Sequence, residues 1–389
     1  DVCSSDLFSV FVKRDVISKL NNTQYLLINA LEAPVLAFIL AFMTRYQLSN
    51  QSYTFYHNKN LVAYIFMSVI VALFLGLTVS AEEIFKDRKI RKREAFLNLS
   101  RGAYLFSKIF ILFVISALQT FFFVAIGNYI IGFKEMFFEY WMMLFTVSLF
   151  ANALGLNISS AFKSAVTIYI IIPFLIIPQL LLSGLLVKFD ELNPSLAAKS
   201  IVPKSGEIMA SRWAFEALVV NQFINNNYQK NIYTFEKEII NASFRKGLWY
   251  NKMMDLLNNK DAISQQIIQN ELSDAGYKNA SIGRIDVETA KSFIANVKQA
   301  NNEIYKKYTD SLDNYYSQFS GNEVQKLAFE QSKMQFHNAR IEELVKNSRP
   351  LEEGIYIESN RLHPNENNIY FNASDKHQIR SHFYAPKKY

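Results

Sequence analysis

The residues that could perform chemistry in this sequence are sparse. The GxxxxGK[ST] loop, whose backbone N–H groups bind nucleotide phosphates, does not occur. The five histidines show no HExxH or comparable metal-ligand spacing, and no arrangement of Ser, His and Asp indicates a nucleophile. We therefore interpret these 389 residues as non-enzymatic, with no catalytic residue, metal site or cofactor of their own.

Polar residues inside apolar stretches are more informative, because a charge at the centre of a membrane span costs about 2.5–3.5 kcal/mol. Glu32 lies early in the first apolar stretch, just before Pro34. It fits either a transport role or a shallow position from which it reaches the inner interface. Gln179, in the fifth stretch, is typical of residues that join helices. Pro173 and Pro178 interrupt the same stretch, as in the broken helices that line substrate paths.

The elements that must position these residues are apolar stretches long enough to cross a bilayer, which takes about 20 residues. Five of them lie near residues 25–44, 61–80, 104–131, 140–162 and 165–187. A buried helix of a soluble protein could resemble one of them, but not five in succession. The predicted fold class is therefore all-α, a polytopic membrane protein with a transmembrane domain over residues 25–187.

Charge divides the chain near Lys188. Residues 1–187 hold 15 of the 41 Lys and Arg and 10 of the 34 Asp and Glu, so the remainder is much more polar. Basic residues cluster in 81–103 and before the first span, which places both on the cytoplasmic side. We expect residues 1–24 to be a cytoplasmic lead-in and residues 188–389 to be extracytoplasmic. The net positive charge reflects this topology and does not indicate nucleic acid.

The basic segment also contains an intermittent apolar stripe. We predict a connecting helix over residues 82–103 that lies along the inner membrane surface, with its cations near lipid headgroups. The alternative is an ordinary loop of the positive-inside kind.

The outer half divides into a membrane-proximal segment, 188–229, and a helical insertion with its tail, 230–389. Heptad spacing over 286–318 and 322–347, with a turn at Ser320-Gly321-Asn322 between them, predicts a long antiparallel hairpin. We also expect helices near 206–223 and 234–258. In the hairpin register, Tyr308 and Tyr315 are mostly buried and Tyr305 and Tyr316 are more exposed. A tyrosine-rich face of this kind could instead bind an envelope partner.

Three segments carry a family resemblance. Residues 87–94, followed by Tyr104 and Lys108, resemble a connecting helix written E-R-x-x-x-x-R-E with a later Y-x-x-x-K, although Asp87 replaces the usual Glu. Residues 183–187 (SGLLV) resemble the end of a fifth span that carries two leucines, and residues 211–223 resemble R-Y-x-F-E-A-L…N-E-F. In this order they resemble the membrane domain of G-subfamily ATP-binding-cassette exporters, the white and pleiotropic-drug-resistance type. The large outer insertion resembles the fused bacterial kind.

The resemblance implies a homodimer in the bacterial inner membrane that exports its substrate by alternating access. It implies a nucleotide-binding domain upstream of Asp1, using ATP and Mg²⁺, and a sixth span beyond Tyr389. The implied coupling-helix residues are Glu82, Arg88, Arg93 and Glu94. The implied transport path comprises Leu75, Ile177, Leu180, Leu185 and Leu186. Leu185 and Leu186 would form a plug in this path; the alternative is that they only pack against lipid or a neighbouring helix. Its apolar character favours a lipid-like or amphipathic substrate.

A second interpretation comes from the size of the outer half. The chain could be a membrane-anchored adaptor or sensor whose outer helices dock an envelope partner. An ATPase domain upstream would favour the exporter, and a signalling domain would favour the sensor.

Overall fold

The computed structural model describes residues 4–47, 52–94, 100–187, 193, 204–258, 268–269, 271–272, 275–277 and 286–347. Within these ranges the chain is helical and contains no strand, which confirms the all-α class. The chain forms two compact units. Of the described residues, the first unit contains those up to Gln222 together with Met334–Ile341, and the second contains those between Phe223 and Lys333 together with 342–347.

Four helices of the described ranges are long and apolar enough to cross a membrane. They are α2 (Thr23–Thr44), α3 (Leu61–Ser80), which runs on through a turn into α4 (Glu83–Arg93), α5 (Arg101–Ile131) and α6 (Phe137–Ala161). A further helix, α1 (Ser4–Leu20), precedes them. These bounds agree closely with the first four predicted spans.

The fifth predicted span is a shorter apolar helix, α7 (Ala165–Leu181). Pro173 and Pro178 both lie inside α7 without ending it. The helix stops before Gly184, whose φ of 80° is left-handed and therefore does not continue an α-helix. The predicted end at residue 187 was thus too late.

The connecting helix is shorter than the predicted 82–103. It is α4 (Glu83–Arg93), and residues 95–99 lie outside the described ranges. The Ser100 hydroxyl accepts a hydrogen bond from the Ala103 N–H at 3.3 Å and so caps the start of α5. Residues 101–103 therefore belong to the next membrane helix.

Helices α3 and α6 approach each other closely at two glycines. A methyl group added at Gly76 would lie 2.5 Å from the carbonyl oxygen of Ser148 and 2.7 Å from Cβ of Ala151. One added at Gly155 would overlap the side chain of Ser80. Small residues let helix backbones come together in lipid, where close packing takes the place of the hydrophobic effect.

Polar side chains join α5 to its neighbours. The Ser116 hydroxyl lies 2.8 Å from Nδ2 of Asn152 and 3.0 Å from Oγ of Ser148, both on α6. The Gln119 amide donates to the backbone carbonyl of Asn29 on α2 at 3.3 Å. Interhelical hydrogen bonds of this kind stabilise helix pairs in membranes.

A second polar contact ties Met334–Ile341 to the loop between α2 and α3. The Tyr56 N–H donates to the carbonyl of Met334, and the Ala339 N–H donates to the carbonyl of Tyr56, both at 3.2 Å. The Asn338 amide donates to the carbonyls of Phe55 (2.8 Å) and Asn58 (3.1 Å). We call this arrangement the loop clamp.

In the membrane-proximal segment, α8 (Lys204–Glu207) is followed by α9 (Ala210–Ile224). Phe215 of α9 packs edge-on against Phe66 of α3, and the Gln222 amide oxygen lies 3.3 Å from the Tyr140 hydroxyl of α6. These contacts explain why the first compact unit extends to Gln222.

The second unit is built around α10 (Tyr233–Phe244), a π-helical turn (Arg245–Trp249) and α11 (Tyr250–Asn258), which follow one another directly. They pack against the long helix α12 (Val287–Ser320). Their shared core is apolar and contains Trp249, Met253, Leu256, Ala290 and Ile294.

The predicted hairpin partner of α12 was wrong. The helix α12 packs mainly against α10, whereas α13 (Glu323–Phe336) has no buried residue and meets α12 through Phe329, Tyr315 and Phe319 near the turn. The second arm also breaks before α14 (Ala339–Asn347).

The predicted tyrosine register holds only in part. Tyr316 is exposed as expected, but Tyr308 and Tyr315 are half-buried and not mostly buried, and Tyr305 is half-buried too. The apolar stripe in the sequence of α12 predicted which side of the helix is buried, but not which helix covers that side.

We predict that Asn338→Ala releases the loop clamp. The substitution removes the amide donor to the carbonyls of Phe55 and Asn58; Phe55 keeps the Asn58 N–H at 3.3 Å, and we expect a cost of about 2 kcal/mol. Hydrogen exchange at the amides of Tyr56 and Ala339 should accelerate. Asn338→Asp should also accelerate it, because the variant keeps the oxygen that caps α14 but loses the donor.

The matched control is Asn314→Ala, at an exposed position of α12. Unchanged exchange in both Asn338 variants would show that the amide does not hold the two segments together.

Candidate functional site around Lys108

The side chain of Lys108, in the second turn of α5, is 4 % exposed and surrounded by carboxylates. Its ammonium nitrogen lies 2.8 Å from Oδ1 of Asp15, 3.1 Å from Oε2 of Glu83 and 2.9 Å from Oδ2 of Asp87. Asp15 belongs to α1, and the other two carboxylates belong to α4. One buried cation therefore joins α5 to the preceding helix α4 and to α1, which is far away in sequence.

A second cation lies beside the first. Lys19 of α1 pairs with Glu83, and its ammonium is 3.9 Å from Asp15. The Tyr104 hydroxyl donates to Oδ2 of Asp87 at 3.0 Å, and the Arg91 guanidinium lies over the Tyr104 ring. We call Asp15, Lys19, Glu83, Asp87, Tyr104 and Lys108 the charge cluster. It compensates two ammonium groups with three carboxylates, and each carboxylate bonds to at least one cation.

The cluster follows a simple sequence rule. Asp15 and Lys19, Glu83 and Asp87, and Tyr104 and Lys108 are each four residues apart on their helices. Residues at this spacing share one helix face. Each of the three helices therefore presents two polar groups to the same point, although the pairs on α1 and α4 alone would pass for ordinary surface pairs.

The N-terminus of α4 is held by the end of α6. The Ser159 hydroxyl accepts hydrogen bonds from the N–H groups of Ile84 (3.0 Å) and Phe85 (2.9 Å). These N–H groups belong to the first turn of a helix, which has no intrahelical acceptor for them. The Arg88 guanidinium donates to the backbone carbonyl of Ser160 at 3.0 Å. Helix α4 is thus bound to α1, α5 and α6 at once.

The predicted coupling residues take different positions. Arg88 bonds to α6 as described, and Glu94 forms an ion pair with Arg14 of α1 at 2.8 Å. Glu82 pairs with Lys86, whose side chain is 61 % exposed, and Arg93 is exposed. It is Glu83, one residue later than Glu82, that enters the charge cluster.

Sequence reasoning missed four residues of this site: Asp15, Lys19, Glu83 and Ser159. The three repeated four-residue spacings, seen together, are the signal that could have found the first three. Ser159 gives no such signal, because its acceptor role depends on where α4 begins.

The predicted path residues separate into two groups. Leu75 of α3 is 1 % exposed and lies within the packed helices. Ile177 on α7 and Leu186 after it are 50 % and 59 % exposed, while Leu180 and Leu185 are half-buried. Four of the five therefore lie on α7 or just beyond it, whereas Leu75 belongs to α3.

Gln179 joins helices as its type suggested. Its side-chain oxygen accepts from the Ser211 N–H at 3.0 Å, and its backbone carbonyl accepts from the Ser211 hydroxyl at 2.7 Å. The contact satisfies a carbonyl at the end of α7 and an N–H at the start of α9. Glu32 is half-buried on α2.

The segment 211–223 contains a second buried cation. Arg212 of α9 is fully buried and lies 3.2 Å from Glu216 and 3.4 Å from Glu207, with its guanidinium 4.4 Å from the Trp213 ring centre. The four-residue spacing of Arg212 and Glu216 resembles that in the charge cluster.

We predict that Lys108→Met destabilises the protein strongly. Removing one partner of a buried ion pair costs about 3–5 kcal/mol, because uncompensated charge stays behind. Thermal unfolding of the purified protein in detergent should show a large fall in Tm. Lys86→Met, at the exposed pair with Glu82, should cost under about 1 kcal/mol.

The double variant Lys108→Met/Glu83→Gln should recover part of the loss, since it removes one of the stranded charges. Equal small effects of Lys108→Met and Lys86→Met would contradict a structural role for the cluster.

Comparison with known proteins identifies the family to which the sequence of this site belongs. The family model described as "ABC-2 type transporter" matches residues 6–223, which hold the four candidate membrane-spanning helices of the described ranges, α7, the charge cluster and α9 up to its last turn. No curated protein matches the chain. Membrane domains of this family are permeases that work with nucleotide-binding partners. Since the match covers more than half of the 389 residues, the chain belongs to the ABC-2 type transporter family.

Proposed function

We propose that the chain is the membrane-spanning permease of an ATP-driven exporter of the G-subfamily type. It acts as a homodimer in the bacterial inner membrane and moves a lipid-like or amphipathic substrate outward by alternating access. ATP and Mg²⁺ bind to a nucleotide-binding domain upstream on the same chain, and residues 188–389 lie outside the cytoplasm. The family match and the order of the three resembling motifs support this proposal.

The observation that carries the proposal is the attachment of α4. A short polar helix that follows a membrane span directly is a suitable receiver for movement of an ATPase domain. The charge cluster connects α4 to α1 and α5, and Ser159 and Arg88 connect it to α6. Movement of α4 therefore reaches three helices through bonds already made, without forming a new interface.

The outward step is assigned to the turn after α7. Leu185 and Leu186 follow the left-handed Gly184, and Leu186 is largely exposed in the single chain. In a dimer, these leucines would meet their counterparts and close the path. Apolar contacts suit a gate because they exclude water and separate without breaking strong bonds.

A membrane-anchored adaptor or sensor is the second candidate. The loop clamp favours it, because Asn338 joins the loop at residues 53–58 to a segment nearly 300 positions away. A partner bound to the outer helices could act on the membrane helices through such a contact. ATPase activity of the intact protein separates the two functions.

We expect Ser159→Ala to weaken coupling. Loss of a helix cap costs about 1 kcal/mol and should reduce substrate-stimulated ATPase activity by about fivefold. The readout is ATP hydrolysis by the full-length protein in vesicles, with a panel of lipids and amphipathic drugs. Ser160→Ala is the matched control, since its hydroxyl bonds only within α6 to the Asn157 carbonyl. Equal ATPase activity of the two variants would contradict a role of α4 in coupling ATP hydrolysis to transport.

The gate is tested by Leu185→Ala/Leu186→Ala in the same assay. The pair should raise basal ATPase activity and lower transport per ATP hydrolysed, because a smaller apolar contact seals the path less well. Leu181→Ala, at an exposed position on α7, serves as the control. If the intact protein shows no ATPase activity, the sensor function replaces the exporter.

A further inference from the structure

A cavity of about 430 Å³ lies between the end of α1, the first half of α2 and the middle of α5. Its walls are almost wholly apolar; Leu20 of α1, Ala30 of α2 and Leu118 of α5 are examples of the lining residues. It is separate from the proposed path, because none of the five path residues lines it. Its volume is within the usual range for ligand sites.

The polar groups in the walls are few, and most of them have partners within the protein; the exception is the buried side-chain oxygen of Gln119, which accepts no hydrogen bond. Lys19 is held by Glu83 and Asp15 in the charge cluster. The Asn29 amide donates to the Tyr25 carbonyl at 2.9 Å, and the Gln119 amide donates to the Asn29 carbonyl at 3.3 Å. A ligand that fills the cavity must therefore be predominantly hydrocarbon.

The cavity matches one bilayer leaflet in length. On α2 it runs from Tyr25 to Pro34, which at 1.5 Å per residue is about 14 Å. The hydrocarbon core of a bilayer is about 30 Å thick, so one leaflet accounts for about half of it. The cavity is also continuous with lipid-facing surface, because its wall residues Leu26, Phe110 and Phe122 are 37–49 % exposed.

An exposed cation precedes the cavity on α1 by about one helical turn. Val16 and Leu20 line the cavity from α1, and Lys13 is three residues before Val16 and seven before Leu20, which places it on the same helix face. Lys13 is exposed. A lipid phosphate at the membrane surface would lie within reach of its flexible side chain.

We propose that this cavity binds one acyl chain of a phospholipid from the leaflet on the α1 side, with the lipid phosphate at Lys13. The site is distinct from the transport path. A lipid bound there packs directly against Lys19 and Tyr25, beside the charge cluster that holds α4.

The test uses full-length protein in nanodiscs of phosphatidylethanolamine and phosphatidylglycerol that contain a phospholipid with a diazirine on its acyl chain. After illumination, labelled peptides are mapped by mass spectrometry. We expect label concentrated on the cavity-facing positions of α2 and α5. Uniform label over all exposed positions of both helices would mean ordinary boundary lipid only and would overturn the proposal.

The decisive variant is Ala30→Trp, which fills the cavity from an exposed position. Label should fall by about tenfold, since the indole displaces the contacts of roughly two methylene groups. The matched control is Ile28→Trp, which is 53 % exposed on α2 but outside the cavity and should leave labelling unchanged. If Ala30→Trp does not fold, Leu118→Trp fills the cavity from α5. Unchanged labelling in the folded variant contradicts the site.

The phosphate contact has its own pair of variants. Lys13→Gln should lower labelling by phosphatidylglycerol carrying the diazirine, and Lys13→Arg should restore it. Lys89→Gln, at an exposed lysine of α4, should have no effect. Labelling requires neither ATP nor transport, so failure of the proposed function would leave this result interpretable.

Discussion

The membrane unit depends on the burial of one ammonium group. Lys108 projects from a helix that enters the membrane, where an unpaired charge would be costly, and its compensation must come from other helices. Three carboxylates from α1 and α4 provide it. The position of both helices follows from this requirement, because neither can move far without leaving a buried charge uncompensated. Ser159 and Arg88 then bring the end of α6 into the same assembly.

The sequence predicted the membrane helices well but did not predict the charge cluster, although Asp87, Tyr104 and Lys108 lie in one of the resembling motifs. Span positions follow from local hydropathy, so they can be read from one segment at a time. The cluster is tertiary, and Asp15 and Lys108 are 93 residues apart. The choice between Glu82 and Glu83 shows the difficulty, because adjacent residues on a helix point about 100° apart. Only knowledge of how α4 faces α5 separates them.

The outer helices show a different limit. A heptad pattern in α12 identified a buried stripe, but a stripe does not identify what covers it. The nearest helix along the chain was the natural choice, yet α10 and α11 provide the core contacts. Likewise, His337 and Asn338 interrupt the second arm where no Pro or Gly marks a break. The Met334 carbonyl and the Ala339 N–H form hydrogen bonds with the backbone of Tyr56 in the loop after α2, whereas in a continuous helix both groups would bond within the helix.

The close approach of α3 and α6 has a mechanical consequence. At Gly76 and Gly155 the two helices lie so close that no larger side chain fits between them, so little can be compressed or sheared at these positions. We expect α3 and α6 to move together as one rigid pair. At one end of this helix pair lie Ser159 and the first residue of α4, Glu83; at the other end lie Tyr140 and the first residue of α3, Leu61. We therefore expect a tilt at the Ser159 end of this helix pair to be accompanied by a tilt at the Tyr140 end.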